Sequence, residues 1–471
     1  MDLPPEIRGL IEGFERELAE LRAENAALKQ KVAELERSRD KDSTNSSKPP
    51  SSDGMKKKPR VAGSLRGQSG KTSGGQRGHK GDTLRAVAEP DTIVTHEAVA
   101  CEHCAAPLSA AMRTGVEKRQ VFELPEPRLE VTEHQALAYT CTCCRGVTQA
   151  AFPDDVTSHV QYGPRMRAAA IYMNVQQLVP EDRVSEIFRD LFGAARLCPA
   201  SITAWVAKKA NVLAPVTAHL AKLVASAPVR NLDETGFRIG ARTQWLHTAS
   251  TPDLTHYRVT AKRGEISKDF AGGVIVHDHF KPYFTLPGVD HALCNAHHLR
   301  ELKALIDIEK EPWARKMSKL LLIALRAVHS VQKAGATTLS AWKRQRLSSV
   351  YDAITAEAIA FHEAQPPLER AGARGRFPKR PGHNLVARLT EFKADTLRFI
   401  ADFAVPFTNN QAEQDIRMMK VKMKISGGFR TETGAEIFAS LRSIISTARK
   451  RGWNMIETLS DPPSRLIAAL P

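Results

Sequence analysis

Three acidic residues, Asp233, Asp278 and Glu413, are far apart in the sequence, and each belongs to an element with apolar character. Residues 229–236 predict a short buried strand that ends at Asp233 and turns at Gly236. Asp278 closes a second apolar run at 273–278, and Glu413 follows the polar stretch 408–412. Taken singly, such acids often serve as surface or capping residues. Three of them on separate elements predict one divalent-metal site assembled by folding.

Carboxylates suit Mg²⁺, because this hard cation takes a few such ligands and completes its octahedron with water and phosphate oxygens. Two metal ions roughly 3.5–4 Å apart can activate a water or a 3′-hydroxyl and also stabilise the leaving oxygen of a DNA phosphodiester. We therefore expect Asp233 to bridge two Mg²⁺ (or Mn²⁺) ions, and Asp278 and Glu413 each to favour one.

Basic residues follow the third acid at helical spacing. Arg417 and Lys420 come four and seven residues after Glu413, which places them on the same face of a helix. There they can hold a phosphate beside the metals. Further residues extend the positive surface for DNA, namely Lys422, Lys424 and Arg430.

The elements around the first two acids predict a sheet. After Asp233 come two more strand candidates, at 244–249 and 255–260, and a short helical piece near 268–270 leads to the strand ending at Asp278. Three strands, a crossover and a fourth strand match the order of a ribonuclease H-like α/β core. In that core the first and fourth strands are adjacent, so Asp233 and Asp278 could share a metal. Glu413 would come from a later helix packed beside the sheet.

Charge and length limit the class of protein. The chain has 471 residues, and its 68 Lys and Arg against 52 Asp and Glu give a net charge of +16. This length predicts three or more structural units, and the charge favours nucleic acid as partner; a generic basic enzyme is the alternative. No signal peptide opens the chain, and the longest apolar run is too short for a bilayer. We therefore expect no membrane partner and a cytoplasmic, nucleoid-associated protein.

An unbroken heptad pattern runs through residues 7–35, with Asn25 as a polar a position. Asparagine at a fixes the register and favours a parallel dimer. Residues 1–40 therefore predict a leucine-zipper coiled coil; an amphipathic helix packed on its own domain is the alternative, and pairing with a different partner helix is also open. The expected homodimer contacts are Leu18, Leu21, Asn25, Leu28, Val32 and Leu35.

Residues 41–95 are rich in Ser, Gly, Pro and Lys and offer almost nothing apolar to bury. We expect this segment to be disordered when free. A basic arm of this kind can follow a phosphate backbone by counterion release without reading sequence. A solvated spacer is the alternative interpretation.

Two Cys-x-x-Cys pairs, within residues 96–160, predict a zinc ribbon. Between them, strand-like runs at 119–124 and 128–133 predict a hairpin. A redox pair is the alternative, but one pair would suffice for that chemistry and no thioredoxin-like pattern surrounds either. Cys143 is spare and His103 is an alternative ligand. The expected ligands of the structural Zn²⁺ are Cys101, Cys104, Cys141 and Cys144.

Residues 161–228 predict helices that include a helix-turn-helix. One helix spans 181–192 and ends at Gly193, and a second begins at Ser201 as N-cap. An ordinary αα-hairpin is the alternative. Thr203, Lys208 and Lys209 would contact a DNA groove or phosphate.

Several motifs in this order resemble a bacterial transposase of the insertion-sequence 66 family, over essentially the whole chain. They are the zipper, the polar repeats at 46–52 and 74–81, the ribbon, Asp-Glu-Thr-Gly at 233–236, Cys-Asn-Ala-His at 294–297 and Asn-Asn-Gln-Ala-Glu at 409–413. The resemblance implies a DDE enzyme with acids Asp233, Asp278 and Glu413. It also implies small accessory proteins encoded by the element. Relatives often have Ser-Asp-Gly at the second acid, where this chain has His277-Asp278-His279.

The remaining segments complete the expected organisation. The ribonuclease H-like core is predicted to begin at 229–298 and to receive its third acid from 404–433; an all-α insertion at 299–403 carries an exposed basic loop at 374–382, and 434–471 form a helical tail. The Cys294 and His297 pair resembles the Cys-x-x-His element of the family. We expect a structural or DNA-positioning role for it; a second zinc completed by nearby histidines is the alternative.

The sequence thus predicts a multidomain α+β transposase. It would bind the terminal inverted repeats of an insertion sequence, nick to free 3′ ends in a Mg²⁺-dependent reaction and join those ends to target DNA. Two alternatives stay open, a non-catalytic DNA-binding regulator and a related ribonuclease H-like nuclease.

Overall fold

A computed structural model describes most of the chain and gives it a mixed helix and sheet structure. None of the helices in these described ranges has the length and apolar character needed to cross a membrane. The described residues are 16–22, 24–25, 28–29, 31–32, 35–36, 83–194, 197–240, 242–270, 272–368 and 377–471. The predicted basic linker therefore lies outside them, apart from residues 83–95.

The described part of the predicted zipper is helical, and its apolar side chains face outward. The exposed fraction ranges from 48% at Leu18 to 63% at Leu35, and Asn25 is exposed as well. Side chains this apolar gain about 25 cal/mol for each Å² that a partner covers. The described residues leave this apolar stripe uncovered.

The two Cys-x-x-Cys segments form turns, but the strands near them differ from the prediction. The described strands here are β1 (Ala138–Thr140) and β2 (Val147–Gln149), an antiparallel pair that flanks the second turn. The predicted hairpin at 119–124 and 128–133 is wrong, because these residues form no strand pairing. Val121 and Val131 are 88% and 89% exposed. Strand-forming side chains without a surface to pack on do not hold a ladder together.

The helical segment before the sheet confirms one predicted boundary and corrects another. Gly193, at φ +62°, ends α2 in the left-handed region, as expected for a C-terminal glycine. The second helix of the predicted pair starts at Pro199, so Ser201 lies in its first turn and is not the N-cap. Proline is favoured at a first helical position, because its missing N–H would have no partner there. The helices are α1 (Pro164–Ile171, continued by a π-helical turn at Tyr172–Gln176), α2 (Glu181–Phe192), α3 (Pro199–Val212) and α4 (Ala214–Ser226).

A five-stranded mixed sheet forms the centre of the chain. Its spatial order is β5-β4-β3-β6-β7; β3 pairs antiparallel with β4 and parallel with β6. The predicted turn at Gly236 is wrong, because β3 continues past it and pairs with β4 throughout. The predicted helix near 268–270 is also absent from the described connection between β5 and β6. The strands are β3 (Val229–Ile239), β4 (Arg242–Ser250), β5 (Thr255–Thr260), β6 (Val274–His277) and β7 (Asp290–Leu293).

Helices make up most of the described chain between residues 299 and 403, the range of the predicted insertion. They bury their own hydrophobic core, in which Trp313 and Tyr351 are among the most buried side chains. Of the predicted basic loop at 374–382, the first three residues lie outside the described ranges, and α8 begins within its last two. These helices are α5 (Asn295–Ala304, continued by a π-helical turn at Leu305–Glu309), α6 (Pro312–Gln332), α7 (Ala341–Glu363), α8 (Pro381–Glu391) and α9 (Lys393–Ala401).

The last helices cover one side of the sheet. The predicted apolar stripe of the tail, Leu441, Ile444, Ile445 and Ala448, is buried in the core shared with the sheet. A short run between the first two of these helices returns to β3, where the Phe429 N–H donates to Arg238 O at 3.0 Å. The helices are α10 (Asn410–Ser426), α11 (Glu432–Lys450), α12 (Met455–Ser460) and α13 (Pro463–Ala468).

A candidate metal centre beside the central strand

Strand pairing brings the first two acids together. Asn231 of β3 pairs in parallel with Val276 of β6, and β6 ends one residue later at His277. Continuing this register by two residues puts Asp278 level with Asp233. Asp233 therefore lies within the long strand β3, at the point where its parallel neighbour stops. The sequence predicted that a strand ends at Asp233; the strand that ends at this level is β6, and β3 continues.

The charges around Asp233 are mutually repulsive. Burial raises the pKa of Asp233 well above its ordinary value, and the carboxylates of Glu234, Asp278 and Glu413 raise it further. A hydrogen bond from the Glu234 N–H to Asp233 Oδ1, at 2.9 Å, acts in the opposite direction. Asp278 and Glu413 thus both lie within electrostatic reach of Asp233.

Asp278 is held at the start of the loop after β6. The Phe280 N–H donates to Asp278 Oδ1 at 3.2 Å. Burial raises the pKa of Asp278, while this hydrogen bond and the positive charges of Arg263 and Arg300 oppose the rise.

Glu413 reaches the same region from the first turn of α10. Its Oε1 lies 3.7 Å from His297 Nδ1 and 3.7 Å from Arg300 Nη2. Both distances exceed a hydrogen bond, and this oxygen has no hydrogen-bond partner among the described residues although it is buried. A buried carboxylate oxygen without a hydrogen-bond partner, on a residue whose charge also acts on Asp233, fits a site for a divalent cation.

A tighter group of possible ligands surrounds the same glutamate. Ligand atoms of Cys294, His297 and Glu413 all lie within 4.8 Å of one another, whereas the described residues bring no second trio of His, Cys, Asp or Glu that close. The three predicted catalytic acids are therefore spread more widely. Among the described residues, none of the nearby histidines joins this group; His277 and His291 face each other instead, Nε2 to Nδ1 at 3.2 Å.

The contacts of His297 direct its Nδ1 toward Glu413. Arg300 Nη2 is 3.2 Å from His297 Nε2, and a guanidinium only donates. Nε2 therefore accepts, and the proton of the neutral ring is on Nδ1, which faces Glu413. Burial lowers the pKa of His297 to about 3. Burial also raises the pKa of the Cys294 thiol to about 11, so both side chains are neutral near pH 7.

Two residues beside the acids were not identified from the sequence. Glu234 is buried, pairs with Arg263 (Nη2 to Oε1, 2.8 Å) and accepts a hydrogen bond from the Tyr283 hydroxyl. Burial raises the pKa of Glu234, and the charge of Asp278 adds to this. Arg263 also lies over the Phe280 ring at 4.1 Å. The one sequence signal was the second acid in Asp-Glu-Thr-Gly; Arg263 is 29 positions away in a turn, and Tyr283 is 49 positions away in the short 3-10 helix Lys281–Thr285.

The predicted DNA-contacting side chains of α10 divide between two faces. Lys420 lies on the Glu413 face, where its Nζ donates to Gly236 O at 3.1 Å, and burial lowers its pKa. Arg417 and Lys424 are exposed on that face. Lys422 is on the opposite face, with its Nζ 4.9 Å from the centre of the Phe429 ring. Arg430 is exposed in the following loop.

The predicted contacts of α3 also differ from each other. Lys208 and Thr203 are exposed. Lys209 is half-buried, and desolvation and the charge of Arg167 lower its pKa.

The two Cys-x-x-Cys turns have matching backbone geometry. In the first, the Ala105 N–H donates to Cys101 O at 2.9 Å; in the second, the Arg145 N–H donates to Cys141 O at 2.9 Å. Ala105 and Arg145 both have φ of +58°. Hydrogen bonds from the backbone of each turn lower the pKa of the Cys101 and Cys141 thiols. These donors favour thiolates and so fit zinc, although the four predicted sulfurs are not gathered within 4.8 Å in the described structure.

Two family models that match the chain carry transposase descriptions. A family model described as "Transposase IS66 family" matches residues 159–437, and one described as "zinc-finger binding domain of transposase IS66" matches residues 99–145. A family of unknown function matches residues 2–85. The uncharacterized protein y4hP of Sinorhizobium fredii is 22% identical over 431 residues, which cover 82% of this chain and 74% of that protein.

Proposed function

The chain belongs to the transposase IS66 family, and from this membership we propose that it is a DDE transposase acting on the ends of an insertion sequence. It would bind the terminal inverted repeats, nick to free 3′-hydroxyls and transfer those ends to target DNA. The observation that carries the proposal is the convergence of Asp233, Asp278 and Glu413: burial raises the pKa of Asp233, and the charges of Glu234, Asp278 and Glu413 raise it further. Repulsion among carboxylates has no structural use, but a divalent cation would relieve it.

The strand order supports a ribonuclease H-like core. Along the chain, the three antiparallel strands β3, β4 and β5 are followed by the two parallel strands β6 and β7. In the sheet they lie in the order β5-β4-β3-β6-β7, so the first and fourth strands along the chain, β3 and β6, are neighbours. The first acid is on the central strand and the second follows its parallel neighbour. The proposed division of the chain keeps this core in two segments, 229–298 and 404–433, separated by the all-α insertion at 299–403.

Asp233, Asp278 and Glu413 would hold the divalent cation. When bound, Mg²⁺ or Mn²⁺ activates the attacking oxygen and stabilises the leaving oxygen of a phosphodiester. The protein supplies placement and charge. Arg417 is exposed on the Glu413 face of α10 and is available to a DNA phosphate. Lys420 is bonded to Gly236 O and holds this helix against β3.

The N-terminal half would bring DNA to this centre. The zinc-finger domain of the family covers both Cys-x-x-Cys turns, and we propose structural zinc bound by Cys101, Cys104, Cys141 and Cys144. The exposed seam from Leu18 to Leu35 would pair two chains as a parallel coiled coil. Lys208 on α3, together with the basic linker, would add phosphate contacts. Accessory proteins encoded by the element are part of this proposal.

The test uses the purified full chain, labelled terminal-repeat DNA, Mg²⁺ and a target plasmid, with element-encoded accessory proteins added. We expect nicking and joining that require the metal and are abolished in Asp233→Asn, Asp278→Asn and Glu413→Gln. Glu436→Gln, at an exposed acid of α11, is the matched control and should react like wild type.

Three results would contradict the proposal. Joining that persists in Asp233→Asn would remove the metal-binding role of this acid. Specific binding with neither nicking nor joining, with accessory proteins present, would favour a DNA-binding regulator. Nicking without joining would instead indicate a nuclease with the same core.

A further inference from the structure

A buried asparagine connects the strand of the first acid to the helix of the third. Asn409 immediately precedes α10 and is 1% exposed. Its Nδ2 donates to Leu232 O at 2.7 Å, and its Oδ1 accepts from Asn231 Nδ2 at 2.8 Å. Leu232 directly precedes Asp233. The Asn409 side chain is therefore bonded to β3 within two residues of the first acid.

The backbone of the same residue is bonded on its other side. The Asn409 N–H donates to Cys294 Sγ at 3.1 Å. Its carbonyl oxygen accepts from the Glu413 N–H at 3.2 Å, which is the first turn of α10. One residue thus links β3, the start of α5 and the backbone of the third acid.

Helix capping does not explain this side chain. Asparagine before a helix ordinarily accepts a hydrogen bond from an N–H of the first turn. Asn409 makes no such bond. Its amide instead forms hydrogen bonds with β3, about 180 residues earlier in the chain. The site needs both a donor and an acceptor in one short side chain, which an amide supplies and a carboxylate does not.

Cys294 supports the same link from the opposite side. Its sulfur is fully buried and is the acceptor for the Asn409 N–H. Cys294 also precedes α5, whose His297 and Arg300 both face Glu413 Oε1 at 3.7 Å. The start of α5 therefore contacts both the residue that anchors α10 and the acid that α10 carries.

We propose that Asn409 is a positioning residue that sets the separation of Asp233 and Glu413, and that Cys294 supports it by accepting its N–H. The inference rests on the proposed metal-dependent function. Asn409 does not touch DNA or metal in this scheme, and it acts through the two acids. A shift of about 1 Å in a reacting group can cost on the order of 100-fold in rate, so a small loosening of this link should be measurable.

The test compares Asn409→Ala with Asn410→Ala in the full chain. Asn410 is the neighbouring asparagine and is exposed, so it is the matched control. We measure single-turnover nicking of terminal-repeat DNA across a Mg²⁺ titration, DNA affinity without metal, and binding of Mn²⁺ alone by electron paramagnetic resonance. Asn409→Ala should lower the nicking rate by about 100-fold, raise the metal concentration for half-maximal rate and weaken Mn²⁺ binding. Its DNA affinity should stay near wild type, and Asn410→Ala should match wild type in every readout.

Three further variants, Asn231→Ala, Cys294→Ser and Cys294→Ala, keep the inference testable if Asn409→Ala does not fold. Asn231→Ala removes one of the two amide bonds and leaves the one to Leu232. Cys294→Ser keeps an acceptor for the Asn409 N–H and should retain more nicking and Mn²⁺ binding than Cys294→Ala. Equal behaviour of the serine and alanine variants would count against the supporting role of the sulfur.

The outcomes separate this inference from the proposed function. If wild type nicks and Asn409→Ala nicks equally at the same metal requirement, the positioning role is wrong and the transposase proposal stands. If wild type does not nick, Mn²⁺ binding still decides: weakening in Asn409→Ala but not in Asn410→Ala supports the positioning role, and equal binding overturns it.

Discussion

The buried ion pair between Asp415 and Lys450 should be a main stabilising contact of the helix that carries Glu413. Asp415 lies two residues after Glu413 on α10, and its Oδ2 is 2.7 Å from Lys450 Nζ on α11, with side chains 13% and 11% exposed. Lys450 also donates to Thr251 O at 2.8 Å and to Leu254 O at 3.1 Å. Thr255 Oγ1 donates to Asp415 Oδ2 at 3.2 Å.

The two partners should not be equally costly to remove. Lys450→Met leaves a buried carboxylate without its cation and two carbonyls without a donor, so we expect a loss of about 3–5 kcal/mol in the free energy of unfolding. Asp415→Asn leaves the ammonium with both carbonyls, and hydrogen bonds to charged groups contribute about 1.5–3 kcal/mol each. We therefore expect Asp415→Asn to lower the free energy of unfolding by about 2 kcal/mol. The double variant Asp415→Leu, Lys450→Met should lose less than the sum of the two single changes to Leu and Met, because no charge stays buried and unpaired.

Urea unfolding at pH 7, followed by circular dichroism, measures these differences. Arg449→Met, at the exposed neighbouring position of α11, is the control and should change the free energy of unfolding by less than about 0.5 kcal/mol. The reasoning is refuted if Lys450→Met is as stable as this control, or if the losses in the Asp415→Leu, Lys450→Met cycle simply add.

Three further predictions follow from single contacts. Gly273 has φ of +71°, and a Cβ there would lie 2.6 Å from a backbone oxygen; Gly288 has φ of +66° and open space. Thermal unfolding should therefore show a larger loss for Gly273→Ala than for Gly288→Ala, by about 1 kcal/mol or more. Burial lowers the pKa of His298 from 6.5 to about 3, so the folded protein keeps this ring neutral. The contribution of His298 to the free energy of unfolding is therefore complete above pH 6.5 and falls by about 1.4 kcal/mol per pH unit below it. Urea titrations at pH 7, 6 and 5 should show a shallower decline in His298→Gln. Atomic absorption should find zinc lost in Cys101→Ser and retained in Cys143→Ser; equal zinc content in the two variants would remove Cys101 from the ligand set.

Local sequence patterns predicted the elements that depend on neighbouring residues alone. The strands of the sheet and the end of α2 at Gly193 follow from periodicity and from a glycine in the left-handed region. The full length of β3 could not be predicted in this way, because pairing with β4 carries it past Gly236 to Ile239. The hairpin expected at 119–124 and 128–133 also shows that local patterns alone do not determine strand pairing. Its side chains have strand propensity, but strand pairing also needs a surface that buries one face.

The candidate acids were predictable, and the residues that hold them were not. Asp233 and Asp278 end or interrupt apolar runs, which is visible in the sequence. Glu234 has Arg263 and Tyr283 as partners. Both lie on connecting segments that approach Glu234 only once the sheet has folded. An asparagine in front of a helix is ordinarily a helix cap. Neighbouring residues in the sequence do not show that the side chain of Asn409 bonds to β3 instead.

Polar contacts fix the orientation of α10 because apolar packing alone leaves it free to slide. Ala412, Ile416 and Met419 form its buried face, but the Glu413 face must stay open to metal and DNA and cannot be covered by apolar side chains. Hydrogen bonds are directional and short-ranged, so they define position along the helix axis more sharply than a stripe of aliphatic contacts. Asn409 bonds to β3 before the acid, Asp415 to Lys450 just after it, and Lys420 to Gly236 two turns on. Changes at Asn409 should therefore weaken metal binding more than changes at Asp415 or Lys420, since the bonds of Asn409 lie directly beside both acids.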